Sequence, residues 1–236
     1  MAIVLEVCVE TPAGLAAAVH GGADRVELCA ALALGGLTPS AGFMAEAAGC
    51  GVPVMVMIRP RAGDFVWSEA ELRVMEADIA AARMAGLSGV VLGASLPDGR
   101  LDVSGLTRLI RAAKGLDLTL HRCFDLAPDM GAALEGAVAL GFRRVLTSGG
   151  ETTAVAGAAQ IGALVRQASG RIAVMAGAGV TAETAPGLLA LGVRDLHGSC
   201  AEDVAVSGKV LEMGFGPRVE RQTSVARVRA LRAAAG

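Results

Sequence analysis

The chain has 236 residues, 53% hydrophobic and only 3% aromatic, with no Tyr and a formal charge of −2. So few stacking platforms and no basic run argue against nucleic acid and anionic membrane surfaces as partners, and no uncharged apolar stretch reaches the ~20 residues a membrane span needs. The length suits one large α/β domain as well as two small ones.

The first apolar run, Ile3–Val9, reads as a strand. Glu6 and Glu10 interrupt it and no basic segment precedes it, which argues against a secretory leader. Thr11 and Pro12 then form a helix start, and Ala13–His20 is helical up to Gly21 and Gly22. Val26–Cys29 is the second strand. Thr38 and Pro39 repeat the helix-start chemistry, Val52–Arg59 is a strand, and Pro60–Trp67 is an irregular loop. Ser68 with Glu71 is a capping box for a helix to about Ala85. Gly89–Leu92 is a strand, and Asp102 caps a helix to Lys114. Leu116–Phe124, Arg144–Thr147, Arg171–Met175 and Arg194–His197 follow as strands. Between and after them lie helices Asp129–Leu140, Thr152–Gln167 and Thr181–Leu191. Residues 203–222 match no clear pattern, and Thr223–Ala235 closes the chain as a helix, so 203–236 is a C-terminal segment ending in a helix within a single 1–236 domain.

A weak repeat supports this count. Gly22, Gly86, Gly141 and Gly192 each follow a helix and precede, by four residues, Val26, Val90, Val145 and Leu196. Such Gly residues fit the position after a helix where φ must be positive. Eight strand–helix units in this length predict a (β/α)8 TIM barrel, with a doubly wound open sheet as the alternative.

Strand alternation then sorts side chains by face. Glu6 and Cys8 share one face of the first strand, Glu27 and Cys29 one face of the second, while Leu5, Val7, Val9, Val26 and Leu28 occupy the others. A carboxylate in a hydrophobic strand is costly unless partnered, so the acid-and-thiol face is expected to hold something specific. Barrel chemistry sits at the C-terminal strand ends. Those ends read Cys8 and Glu10; Cys29; Arg59 and Arg61; His121, Cys123 and Asp125; Ser148; Gly177 and Gly179; His197 and Ser199.

The segments LEVCVE, HGGADRVELCAALALGGLTPS, MIRPRAGDF, DGRLD, HRCFD, VLTSGG, MAGAGV and LHGS occur in that order between Ile3 and Ser199. Through them the chain resembles the CutC family. The resemblance implies a (β/α)8 barrel, a cytoplasmic protein of copper homeostasis, and Cu(I) ligands in the LEVC and ELC motifs, here Cys8 and Cys29. Against the family pattern, the chain has Cys123 within HRCFD where Ala is expected, Trp67 where Tyr is expected, and no Pro after Met175.

The residues themselves also allow chemistry other than copper. Thiolates of Cys8 and Cys29, at matching positions of neighbouring strands, would suit soft Cu(I), although free Cys is commonly a small core residue. Five cysteines, with Cys50, Cys123 and Cys200 completing the set and no CxxC, read as reduced thiols. Arg59 and Arg61 offer guanidinium forks to a phosphate or carboxylate, or else pair with Glu6, Glu27 or Asp64. Gly177, Gly179 and Ser199, with Ser148 as a third wall, fall where barrels cradle phosphate. His121, with Asp125 as a possible partner, and His197, facing Glu6 and Glu27, are candidate acid–base groups. Two functions are therefore expected in competition: Cu(I) handling at Cys8 and Cys29, or an enzyme acting on a small anionic or phosphorylated substrate. Ala- and Gly-rich outer helices with 19% charge also predict a homo-oligomer, most simply a dimer.

Overall fold

The structure, a computed structural model, describes residues 3–236. Eight parallel strands close into one barrel: β1 (Val4–Val9), β2 (Arg25–Leu28), β3 (Val54–Met57), β4 (Gly89–Leu92), β5 (Asp117–Leu120), β6 (Arg144–Thr147), β7 (Ala173–Ala176) and β8 (Asp195–Gly198). Pairing of β1 with both β2 and β8 completes the ring. Between them run α1 (Pro12–Gly21), α2 (Ala41–Ala47), α3 (Glu69–Met84), α4 (Val103–Ala112), α5 (Met130–Ala139), α6 (Ala158–Ala168) and α7 (Ala185–Ala190). After β8 come an antiparallel hairpin of β9 (Ala201–Ala205) and β10 (Val219–Thr223), with α8 (Lys209–Glu212) at its tip, and a final helix α9 (Val225–Ala235). No helix among the described residues is long and apolar enough to cross a membrane.

Alternation divides the barrel into two environments. Leu5, Val7, Val9, Val26, Leu28, Val54, Val56, Val90 and Leu92 point outward into the core beneath the helices. The other face forms a separate small apolar cluster of Cys29, Met55, Met57 and Val91, and otherwise carries buried polar groups such as Glu6, Arg25, Glu27 and His197.

The helix starts follow local chemistry. Thr11 accepts from the Gly14 N–H ahead of Pro12, Ser68 and Glu71 form a reciprocal capping box, and Asp102 and Asp129 cap α4 and α5. Gly22, Gly86, Gly141 and Gly192 all have positive φ, between 72° and 95°. Four starts differ from the sequence expectation; the last helix, expected from Thr223, begins at Val225 because Thr223 pairs with Ala201 in β10. The cap of α2 is Ser40, because Thr38 Oγ1 accepts instead from Arg59 N at 2.9 Å. The helix expected from Thr152 begins at Ala158, because Ala154 N bonds Ala178 O in the loop after β7 and holds the preceding turns. The helix expected from Thr181 begins at Ala185, with Thr184 Oγ1 accepting from Thr181 N. The strand expected to reach Phe124 stops at Leu120, where a 3-10 turn, Arg122–Leu126, takes over.

Helix α9 packs across α1, and their closest approach needs a glycine: a Cβ at Gly21 would stand 2.4 Å from Val228 Cβ. Arg232 fastens the same seam, donating to Asp24 Oδ2 at 2.5 Å and Ile3 O at 3.2 Å.

Candidate functional site

Strand register builds the floor of the site. Cys8 lies opposite Glu27, and Glu6 lies opposite His197, so four side chains from three adjacent strands converge inside the barrel. His197 Nδ1 is 2.8 Å from Glu6 Oε1, and its Nε2 is 3.7 Å from Glu27 Oε2. Donor atoms of Cys8, Glu27 and His197 all lie within 4.8 Å of one another. Cys29 donates its thiol hydrogen to Glu27 Oε2 at 3.4 Å and packs among Met55, Met57 and Val91.

A buried ionic layer supports this floor. Arg25 Nε bonds Glu6 Oε2, and Arg25 Nη2 reaches Asp195 Oδ2 at 2.9 Å and Met175 Sδ at 3.3 Å. Arg144 holds Asp117 at 2.8 Å and Thr119 Oγ1 at 2.9 Å. Burial alone would push the Glu6 carboxyl up, but Arg25 and His197 outweigh it and hold it at about 2. For Glu27 the balance goes the other way: burial, with Glu6 adding, raises its carboxyl although His197 and Arg25 oppose the rise. Burial disfavours the imidazolium of His197, yet Glu27, Cys8 and Glu6 together lift it well above its ordinary 6.5. Burial and Glu27 push the Cys29 thiol well above the usual range. These directions favour a carboxylate at Glu6 and an imidazolium at His197.

Above the floor opens a cavity of about 880 Å³, lined by Cys8, Glu27 and His197 below, by Met57, Arg59, Phe65 and His121 on one wall, and by Gly179, Ser199 and arginines Arg122, Arg221 and Arg227. Arg59 is 6% exposed. Its guanidinium donates to Leu34 O, Gly36 O and Gly63 O and lies 4.9 Å from the centre of the Phe65 ring. His121, equally buried, accepts from Cys123 N at 3.2 Å through Nδ1. Burial, with Arg59 adding, lowers its pKa to about 3.

Several expected residues are placed elsewhere. Cys29 is one alternation step beyond the residue opposite Cys8, so the two thiols do not occupy matching positions. Arg61 turns away from the cavity: it bonds Glu71 and Asp64 and stacks 4.9 Å over Trp67. Asp125 does not meet His121, because the 3-10 turn redirects it to Arg122 Nε at 2.8 Å, Thr147 Oγ1 at 2.5 Å and Ser148 N at 3.1 Å. Ser148 is enclosed in that same lock, 2.6 Å from Arg122 Nη2. Gly177 is a packing glycine, since a Cβ there would stand 2.5 Å from Leu146 Cδ1, whereas Gly179 and Ser199 do face the cavity.

Arg25 and Asp195 were not singled out from sequence, although alternation carries the signal: Arg25 shares a face with Glu27, and Asp195 with His197. Arg221 and Arg227 carry no such signal, because the hairpin and the last helix bring them to the rim from beyond the eighth strand.

A family model described as the CutC family matches residues 3–202. A CutC family protein of Sinorhizobium medicae is 56% identical over 233 residues, covering 98% of this chain and 95% of that protein. Another, from Caulobacter vibrioides, is 53% identical over 234 residues, covering 96% and 94%. Among solved structures, the CutC protein of Streptococcus agalactiae, named provisionally for copper homeostasis, is 38% identical with a TM-score of 0.80, covering 84% of this chain and 98% of that one. Thiamine phosphate pyrophosphorylase from Pyrococcus furiosus, 14% identical with a TM-score of 0.62 and covering 99% of this chain and 95% of that one, shares the fold alone.

Proposed function

The chain belongs to the CutC family, and on that footing we propose that it handles copper, taking Cu(I) as cargo at the floor of the barrel cavity. The observation that carries this is the convergence of Cys8, Glu27 and His197 donor atoms within 4.8 Å of one another beneath an open cavity. Cys8 supplies the soft thiolate that Cu(I) prefers and His197 Nε2 a borderline nitrogen, with Glu6 orienting the ring through Nδ1. Cys29, two residues beyond Glu27 and just past the end of β2, is the second sulfur within the same neighbourhood. Both thiols and the imidazole must lose protons to bind. Anaerobic titration against a Cu(I) chelator tests the reading: wild type takes up one equivalent, and the Cys8→Ser/Cys29→Ser protein none. Unchanged uptake by the double variant rejects it. All five cysteines are free thiols, which supports a reducing, cytoplasmic setting. We further expect a homo-oligomer, read by light scattering.

A second reading is favoured by one specific feature. His197 stands between Glu6 and the pair of Cys8 and Glu27, on the floor of a cavity rimmed by arginines. That arrangement supports acid–base chemistry on a small anionic or phosphorylated molecule. Thermal-shift screening of phosphorylated metabolites on copper-free protein tests it, and a flat response to all of them counts against it.

A further inference from the structure

The barrel interior contains three buried arginines, and two are neutralised: Arg25 by Glu6 and Asp195, Arg144 by Asp117 and Asp195. Arg59 meets no carboxylate among the described residues. Three backbone carbonyls satisfy part of its fork but leave its charge without a counter-ion, and its Nε has no partner. A buried cation without an anion is costly. His121 presents the matching feature. Its Nδ1 is occupied by Cys123 N–H, so the neutral ring carries its hydrogen on Nε2, which also has no partner. Phe65 touches both residues, its ring centre 4.7 Å from that of His121 and 4.9 Å from Arg59 Cζ. Buried side-chain polar atoms without partners are rare. The described residues have four, and three of them, Glu27 Oε1, Arg59 Nε and His121 Nε2, belong to residues lining the one cavity.

We propose that Arg59 Nε and His121 Nε2 together seat an oxyanion, the phosphate or carboxylate head of a small organic molecule whose body lies along Met57, Phe65 and Leu146. This rests on the second reading above, that the cavity admits a small anion. It places the head group on the β3–β5 wall instead of the loops after β7 and β8, where Gly177 is committed to packing. The far end of such a molecule reaches the floor, where Glu27 Oε1 is free to accept a hydroxyl hydrogen.

The test is calorimetric titration of metal-free protein with inorganic phosphate and with malonate at constant ionic strength. At least one is expected to bind wild type, and which one names the head group. Arg59→Lys keeps the charge but removes Nε. His121→Asn keeps an acceptor toward Cys123 N and removes the unpartnered Nε2–H donor. Each should weaken the anion about tenfold or more, the scale of one charge-assisted hydrogen bond, while Arg61→Gln, which alters a residue turned away from the cavity, should not. The 15N resonance of His121 Nε2 should move on addition of the bound anion, a readout that needs no variant. If neither anion binds wild type, the proposal and the reading beneath it both fail. If an anion binds but Arg59→Lys and His121→Asn retain it in full, or the Nε2 resonance stays fixed, the head group sits elsewhere and this proposal alone falls.

Discussion

Cys8 on β1 stands opposite Glu27 on β2, and Cys29 stands one alternation step further along. The neighbour that register gives the Cys8 sulfur is therefore a carboxylate, with His197 arriving from the other side through β8. Cys29 is fully buried among methionines and gives its hydrogen to Glu27. The two thiols are unequal, and the consequences can be measured.

Cys8→Ser should abolish Cu(I) uptake, because a hard, protonated oxygen replaces the cavity-facing thiol. Cys29→Ser should weaken uptake by a smaller factor. Competition against a chelator ranks the two, and equal losses would instead make the sulfurs a matched pair.

Arg25 neutralises Glu6 and Asp195 where almost no water reaches them. Arg25→Met should cost about 3–5 kcal/mol, the scale for stranding buried charge. Urea midpoints check this, and Glu6→Gln/Arg25→Met should recover part of the loss, since it removes one stranded anion. A wild-type midpoint for Arg25→Met would refute the role given to the ionic layer.

The pH dependence follows from two opposite shifts. Glu6 titrates at about 2 in the native barrel against an ordinary 4.5, so its contribution is complete above pH 4.5 and lost as pH falls through about 2. His197 is raised well above 6.5, so its contribution is complete below pH 6.5 and lost as pH rises through its native value. Urea unfolding from pH 3 to 9 should show Glu6→Gln flattened on the acid side and His197→Gln flattened on the alkaline side. Parallel profiles for all three proteins would contradict both assignments.

Gly21→Ala should loosen the C-terminal helix, since its Cβ would stand 2.4 Å from Val228 Cβ. Overpacking of this kind costs about 1–3 kcal/mol. Faster hydrogen exchange confined to α9 and the facing part of α1 is the expected signature. Exchange unchanged there would show that the seam relaxes freely.

Much of the barrel was legible from residue order. Helix starts at Thr11, Ser68, Asp102 and Asp129, and glycines at 22, 86, 141 and 192, are set by bonds spanning three or four residues, so the sequence states them directly. The inward facing of Glu6, Cys8, Glu27 and His197 was equally legible, because alternation along a strand is strict. Starts of α2 and α6 were misplaced where a distant partner claimed a capping group or held the preceding turns, as Arg59 N did with Thr38 and Ala178 O with Ala154, and that of α7 because Thr184 Oγ1 accepts from Thr181 N in a local turn ahead of the helix.

Sequence by itself determined the count of barrel strands, the family motifs and which side chains enter the barrel, since each depends on local spacing, but not the β9–β10 hairpin, whose residues match no clear pattern alone. Only the tertiary structure decided who meets whom there. Stagger between strands put Glu27 opposite Cys8; the 3-10 turn after β5 took Asp125 from His121 to Ser148; and the loop after β3 sent Arg61 to Glu71 while leaving Arg59 buried without an acid. The physical reason is that register and loop course come from packing the whole ring at once, so spacing along the chain does not say which partners meet.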